Sequence, residues 1–369
     1  MRAVTTPAPI ARAARKAALG SRLWALGTVA VISVSYLAAC TPRGSTRGLT
    51  SHGGTGDASA SDASASDASG GDGGLTTHRP PPAAPSVARI IATDSLAALL
   101  ARGPVLVVDV RTDVGLYLRA HLPGAVYLNS EALRASAGGV PNLALPAESY
   151  RSLLGRLGVR VDRPVVVYSS GEARNIDATF LAWILAGFGH PTVYVLDGGY
   201  AKWEAEGRPT TRAYPQVDTT PFAAPALALE RATLAQVRAS LGRGTRDAIL
   251  LVDARVPEQY AGEAGAQMRR GHIPGAVNHY WADDLAAGGF GRVWKDRETL
   301  RSSYAAQGVT PDRDIVVYCN GGLESSHVYF TLRSLLGYPR VRVYDGSWTE
   351  WAAHEELPME TGVGKVRSP

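Results

Sequence analysis

One ordered set of motifs occurs twice in this chain at nearly constant spacing. Asp109-Val110-Arg111 returns 144 residues on as Asp253-Ala254-Arg255. His121-Leu122-Pro123-Gly124-Ala125 returns 151 residues on as His272-Ile273-Pro274-Gly275-Ala276, and Val167-Tyr168-Ser169 returns 150 residues on as Val317-Tyr318-Cys319. Asp197-Gly198-Gly199 and Trp203 return 148 residues on as Asp345-Gly346-Ser347 and Trp351. A series kept in order at one spacing is an internal repeat. The chain is therefore read as two copies of one domain, residues 87–212 and 225–362, joined by a Pro-bearing linker at 213–224.

Within a copy, short β-branched runs alternate with helical patterns. Val105-Leu106-Val107-Val108 and Pro164-Val165-Val166-Val167-Tyr168 are apolar at every position, as strands covered on both faces are. Helical periodicity follows Asp94-Ser95 (Leu96, Leu99, Leu100), covers Pro146 to Leu157, and passes through Thr179, Ala182, Trp183 and Leu185. This alternation predicts an α/β fold of two tandem domains, each a parallel sheet flanked by helices. A chain of 369 residues is long enough for two proper cores.

The first 86 residues read differently. Arg2, Arg12, Arg15, Lys16 and Arg22 precede an apolar run from Leu23 to Ala39, and no acid appears before Asp57. A basic region, an apolar region and small residues at its end make residues 1–39 an expected signal peptide. Leu37-Ala38-Ala39-Cys40 resembles the bacterial lipoprotein signal, in which the Cys is lipidated and becomes the mature N-terminus. An uncleaved membrane anchor is the alternative reading. Both place the body at a membrane in the cell envelope, facing periplasm or exterior. Residues 40–86 are rich in Ser, Ala, Gly, Asp and Pro and read as a tether. The formal net charge is +5, and the five basic residues of 1–39 account for it. No nucleic-acid partner is expected from a remainder near neutrality.

The chemistry concentrates at Ile315-Val316-Val317-Tyr318-Cys319-Asn320-Gly321-Gly322-Leu323-Glu324-Ser325-Ser326-His327. A buried strand runs straight into a Cys, a Gly-Gly turn and a helical pattern (Val328, Phe330, Leu332, Leu335, Leu336). Backbone N–H groups and a helix N-terminus favour negative charge there, so a lowered thiol pKa is expected. With Cys40 lipidated, Cys319 has no partner in the chain, which has two cysteines in all. Cys319 is the candidate nucleophile. The N–H groups of Asn320, Gly321, Gly322, Leu323, Glu324 and Ser325 are the candidate cradle for an anionic sulfur. One Cys offers no zinc site, and no cofactor is expected.

Taken together, Asp253-Ala254-Arg255, Glu258-Gln259-Tyr260-Ala261-Gly262, Gly271-His272-Ile273-Pro274-Gly275-Ala276, the Cys319 loop, and Asp345-Gly346-Ser347 with Trp348 and Trp351 resemble the tandem-domain rhodaneses. These sulfurtransferases include the thiosulfate and 3-mercaptopyruvate enzymes. The resemblance implies a catalytic C-terminal copy and an inactive N-terminal one, with Ser169 standing where Cys319 does. It implies small-molecule partners: a sulfur donor, and a thiol or cyanide as acceptor. Thiosulfate enzymes often place basic residues after the Cys, whereas Asn320 and Gly321 are neutral, Glu324 is acidic and Gln259 replaces a second arginine. Arg255, Arg269 and Arg270 are the cations left for the donor, Arg255 being open also to a structural pairing with Asp253 or Glu258. His121 and His272 are expected to bond within their turns, Trp348 and Trp351 to pack in the core, and Ser325 and Ser326 to cap the helix. A Cys-dependent phosphatase would need an arginine six positions after the Cys to grip phosphate, and Ser325 stands there. A surface-anchored sulfur carrier or binding module is the remaining alternative.

Overall fold

The computed structural model describes residues 86–171, 175–224, 226–241, 249–286 and 291–362. The expected signal peptide, Cys40 and the tether up to residue 85 lie outside the described residues. No helix among those described is long and apolar enough to cross a membrane.

The first copy runs β1 (Arg89–Ile91), α1 (Thr93–Arg102), β2 (Leu106–Asp109), α2 (Val114–Arg119), β3 (Ala125–Tyr127), β4 (Arg134–Ala137), β5 (Val140–Ala144), α3 (Ala147–Arg156), β6 (Val165–Tyr168), α4 (Ile176–Gly187), β7 (Val193–Leu196) and α5 (Gly199–Ala205). The second runs β8 (Arg231–Ala232), α6 (Leu234–Ser240), β9 (Leu250–Asp253), α7 (Pro257–Ala261), β10 (Val277–Asn278), α8 (Arg297–Ala305), β11 (Ile315–Tyr318), α9 (Leu323–Phe330), β12 (Val341–Tyr344) and α10 (Ser347–Ala353). Each copy has one five-stranded sheet, ordered β1-β7-β6-β2-β3 and β8-β12-β11-β9-β10. Every pairing in both sheets is parallel. The two orders are identical once the repeat is aligned, so the expected α/β architecture is the one observed.

Because side chains alternate across a strand, each run has two destinations. Val107, Val166 and Tyr168 face a core belonging to the first copy. Val316, Tyr318 and Tyr344 face a core belonging to the second. The opposite faces, Val108, Val165 and Val167 with Val252, Val317 and Val343, join α4 and α9 in one continuous cluster. Every residue of α4 is buried, as is α9 from Ser325 onward. A helix buried all round has no solvent face to offer, and α4 packs against α9 between the sheets. Thr179 Oγ1 and Ser326 Oγ meet there at 2.9 Å.

The seam is also laced by an exchange of segments. The antiparallel β4–β5 hairpin, an element that the strand and helix patterns do not predict, leaves its own copy and reaches the second. Ala144 N donates to Asp345 Oδ2 at 2.9 Å. The matching segment of the second copy reaches back, with Trp294 N donating to Asp197 Oδ1 at 3.1 Å and Arg292 N to Gly171 O at 2.8 Å. Burial pushes the Asp197 carboxyl up to about 6, the Trp294 N–H opposing. A core shared in this way makes the two copies one cooperative unit. Phe180→Ala, deleting a fully buried ring at the seam, is expected to cost about 3–5 kcal/mol. Denaturant unfolding should show one transition for both copies, displaced to lower denaturant and not split in two.

Candidate active site

β11 delivers Tyr318 outward and Cys319 inward, into the shared core, where Cys319 is fully buried. The chain turns over Asn320 and Gly321 and enters α9 through Gly322, whose φ is +88°. Glycine is required twice over at that position. The conformation is left-handed, and a Cβ would stand 2.8 Å from Asp345 Oδ1. Ser347, itself at φ +52°, accepts the Cys319 N–H at 3.1 Å and donates to Tyr344 O at 2.7 Å.

Three groups close on the sulfur, the farthest being Ser347 Oγ at 4.0 Å. The Gly322 N–H donates to Cys319 Sγ at 3.1 Å. The thiol faces Ser325 Oγ at 3.6 Å, which in turn donates to Gly322 O at 3.0 Å. The cradle is thus narrower than the sequence suggests, with Gly322 and Ser325 contacting the sulfur. Ser325 and Ser326 do not cap α9 as expected. Their hydroxyls donate back to the carbonyls of Gly322 and Leu323, three residues earlier, and the N-cap is Gly322.

The expected lowering of the thiol pKa is not what the site produces. Burial pushes the Cys319 thiol up to about 12, and the Glu324 carboxylate adds to the rise through charge and hydrogen bonding. The backbone N–H and hydroxyl of Ser325 pull the other way and lose. The resting thiol is protonated.

The other predicted site residues are placed as follows. Arg255 is buried, with Nε and Nη2 on Asp253 and Nη2 also on Gly271 O at 2.8 Å. Its guanidinium lies 5.0 Å from the Trp348 ring centre. Arg111 repeats the arrangement with Asp109 in the copy that lacks a cysteine. Of the two readings open for Arg255, donor binding and a structural pairing, the geometry favours the pairing with Asp253. Arg269 is likewise spent, donating to His354 O and Leu357 O, while Arg270 is exposed. Asn320 donates to Gln259 Oε1 at 2.9 Å, and Gln267 Nε2 reaches Thr349 Oγ1 at 3.2 Å and Asn320 Oδ1 at 3.5 Å, forming an uncharged polar rim beside the loop. Leu323 and Glu324 are half-buried in the first turn of α9. His272 bonds through Nδ1 to Tyr260 O of α7 at 2.8 Å, and His121 to Tyr117 O of α2 at 2.9 Å, so each ties its turn to the preceding helix instead of bonding within the turn. Trp348 and Trp351 are core residues. In the first copy, Ser169 Oγ donates to Asn175 Oδ1 at 2.9 Å.

Two features escape the sequence reading. Behind α9, buried Asp284 takes hydrogen bonds from His279 Nε2, Tyr304 and Thr331, and His327 stacks on Trp294. Burial pushes His327 down to about 4, so it is neutral. This network fixes the helix that carries the loop. Across the seam, Arg134 of β4 donates through Nη1 to Gly321 O at 3.4 Å, and Asn142 of β5, at φ +63°, lies against Gly321. A mid-sequence Arg beside Gly-rich residues carries no signal of this by itself.

The Rhodanese-like domain family model matches residues 92–206 and 233–354. The chain belongs to the rhodanese family. A putative thiosulfate sulfurtransferase of Synechococcus elongatus is 36% identical over 290 residues, covering 77% of this chain and 88% of that protein. The sulfur carrier protein TtuD of Thermus thermophilus is 35% identical over 288 residues, covering 74% and 96%. The thiosulfate sulfurtransferase of Corynebacterium glutamicum is 36% identical over 290 residues, covering 74% and 91%. Among solved structures, EanB in complex with ergothioneine superposes with a TM-score of 0.65 at 25% identity, over 75% of this chain and 71% of that one. The crystal structure of YnjE superposes at 0.64 and 24% identity, over 74% and 68%. The general activity of this rhodanese is sulfur transfer.

Glu324→Gln removes one of the two causes that hold the thiol protonated and leaves the burial. The thiol pKa is expected to fall from about 12 yet stay above the ordinary value. Below its pKa a thiol gains ~10-fold in thiolate per pH unit. The rate of modification by a small thiol reagent, followed against pH, should rise in the variant at every pH below that limit.

Proposed function

We propose that this rhodanese moves a sulfane sulfur from thiosulfate or 3-mercaptopyruvate to a thiophilic acceptor through a persulfide on Cys319. The observation that carries the reading is the Gly322 N–H held 3.1 Å from the sulfur. A backbone donor aimed at one atom serves the anionic form of that atom. In the first half-reaction the thiol gives its proton to Glu324, and the thiolate attacks the outer sulfur of the donor. With thiosulfate, the new S–S bond forms as the old one breaks, and the electron pair leaves with sulfite. With 3-mercaptopyruvate, the C–S bond breaks and the pair leaves as the enolate of pyruvate, which takes up a proton. In the second half-reaction cyanide, a thiol or sulfite takes the outer sulfur and returns the Cys319 thiolate. A persulfide is more acidic than the thiol it replaces, so the anion the resting site resists is the one the loaded site keeps.

A sulfur carrier or binding module with little turnover is the second reading. The fully buried, protonated Cys319 favours it, and one relative is named a sulfur carrier protein. Intact mass after mixing with each donor tests for the persulfide, and turnover with an acceptor distinguishes the two. A gain of about one sulfur atom, removed by cyanide and lost in Cys319→Ser, is expected. Repeated turnover makes an enzyme, and a single loading makes a carrier. Activity surviving Cys319→Ser overturns both.

We further propose that the mature protein is held at the cell envelope by lipid on Cys40, a reading that rests on residues 1–40 alone. Cells fed labelled palmitate should yield labelled protein in the membrane fraction, and Cys40→Ser should abolish the label. A membrane-bound, unlabelled protein would indicate the uncleaved anchor instead.

A further inference from the structure

We propose that Arg134, contributed by the copy that lacks a cysteine, holds the anionic group of the sulfur donor above Cys319. This rests on the sulfur-transfer reading and names what that reading leaves open, the cation that the donor meets.

Hydrogen-bond supply singles out Arg134 among the arginines around the loop. Arg255 and Arg269 have carboxylate or carbonyl partners at close range. Arg134 has almost none, although its side chain is only 8% exposed. Its Nε is buried with no partner among the described residues. Its Nη1 makes a long 3.4 Å bond to Gly321 O, and its Nη2 lies 3.6 Å from the exposed Glu131 carboxylate. A buried guanidinium left this short of acceptors is costly to keep, which is the expected signature of a group waiting for an anion. A guanidinium presents parallel N–H donors that match the oxygens of a sulfonate or carboxylate.

The hairpin is built to hold it in place. Asn129 caps the turn before β4 through the Glu131 N–H. Leu133 is fully buried. Tyr150 bridges the residues that flank the hairpin, donating to Leu133 O at 2.7 Å and accepting from Leu145 N at 3.1 Å. Arg134 pairs in register with Ala144, the residue whose N–H is anchored on Asp345. Phe180 underlies the guanidinium at 6.0 Å and also lies beside Gly322. The cation thus sits over the second and third residues of the Cys319 loop. The residues that follow the cysteine directly are neutral or, at Glu324, acidic. The positive charge that a dianionic donor needs comes from the other copy.

The test has two arms on the full chain. In the first, Cys319→Ser, which cannot react, is titrated with thiosulfate by calorimetry, alone and combined with Arg134→Met or Arg134→Lys. Binding is expected in Cys319→Ser, weakened about ten- to a hundredfold by Met and partly restored by Lys, the range of a charge-assisted contact. In the second, persulfide formation in the otherwise native chain is followed by mass with thiosulfate and with a neutral alkyl hydropersulfide, whose outer sulfur passes to Cys319 as the alkyl thiolate leaves. Arg134→Met should raise the thiosulfate concentration needed for half-maximal loading and leave loading by the hydropersulfide within about twofold. Thermal melts report whether the hairpin stays folded. Equal losses with both donors, or thiosulfate binding indifferent to Arg134, would make the residue a structural clamp and overturn the proposal. So would an absence of thiosulfate binding to Cys319→Ser. A failure of persulfide formation with intact, Arg134-dependent binding would count against the sulfur-transfer mechanism alone.

Discussion

The structure depends on one constraint: each sheet has a face that its own helices do not cover. A parallel sheet must be buried on both sides. In each copy the outer face is closed by local helices, and the inner face is closed by a helix pair, α4 and α9, that belongs half to each copy. Val167 and Val317 point into the same cluster for this reason. The strand-to-helix turn after β11 is therefore buried at the seam, and so is Cys319. A lone copy would leave this turn open to water. The site exists where it does because the repeat closes on itself.

Burial then decides the electrostatics. The expectation of an acidified thiol weighs a helix N-terminus and a few inward N–H groups. Such a dipole stabilises a charge by typically 0.3–1 kcal/mol, and up to ~2 in favourable sites. Taking a thiolate wholly out of water shifts its pKa by up to ~3–5 units, each worth ~1.4 kcal/mol. The larger effect wins, and Glu324 adds to it. The Gly322 N–H remains aimed at the sulfur, so the loop is organised for an anion it does not hold at rest. A site of this kind is quiet until the thiol gives up its proton.

What the sequence revealed, and what it hid, follows the range of the forces involved. The repeat, the strands and the helices after them were legible because apolar runs and their period are local properties. Cys319 was legible because a strand, a cysteine and two glycines stand together. The β4–β5 hairpin was not legible. Arg134-Ala135-Ser136-Ala137-Gly138-Gly139-Val140-Pro141-Asn142 lacks alternation because the hairpin is largely exposed and is anchored on the other copy through the Ala144 N–H on the Asp345 carboxylate. Arg134 touches a loop 187 residues away, and no spacing rule spans that distance. Arg255 was open both to donor binding and to a pairing with Asp253 or Glu258, and only the contact with Asp253 decides between them.

The exchange of segments explains why a copy without a nucleophile is kept whole. Asp345 ties down the hairpin that roofs the Cys319 loop, and Asp197 holds the segment at Trp294 that lies against the Ser169 loop. The latches are equivalent, and the loops beneath them are not. Where Cys319 has the Gly322 N–H and two hydroxyls within reach, the Ser169 hydroxyl donates a hydrogen bond to Asn175. One half of a symmetric scaffold has thus kept the reactive atom. The other half supplies much of the buried surface around it and the strand that carries the nearest unsatisfied cation. Removing the first copy would not leave a slower enzyme. It would expose the inner face of the second sheet and take the roof off the sulfur together.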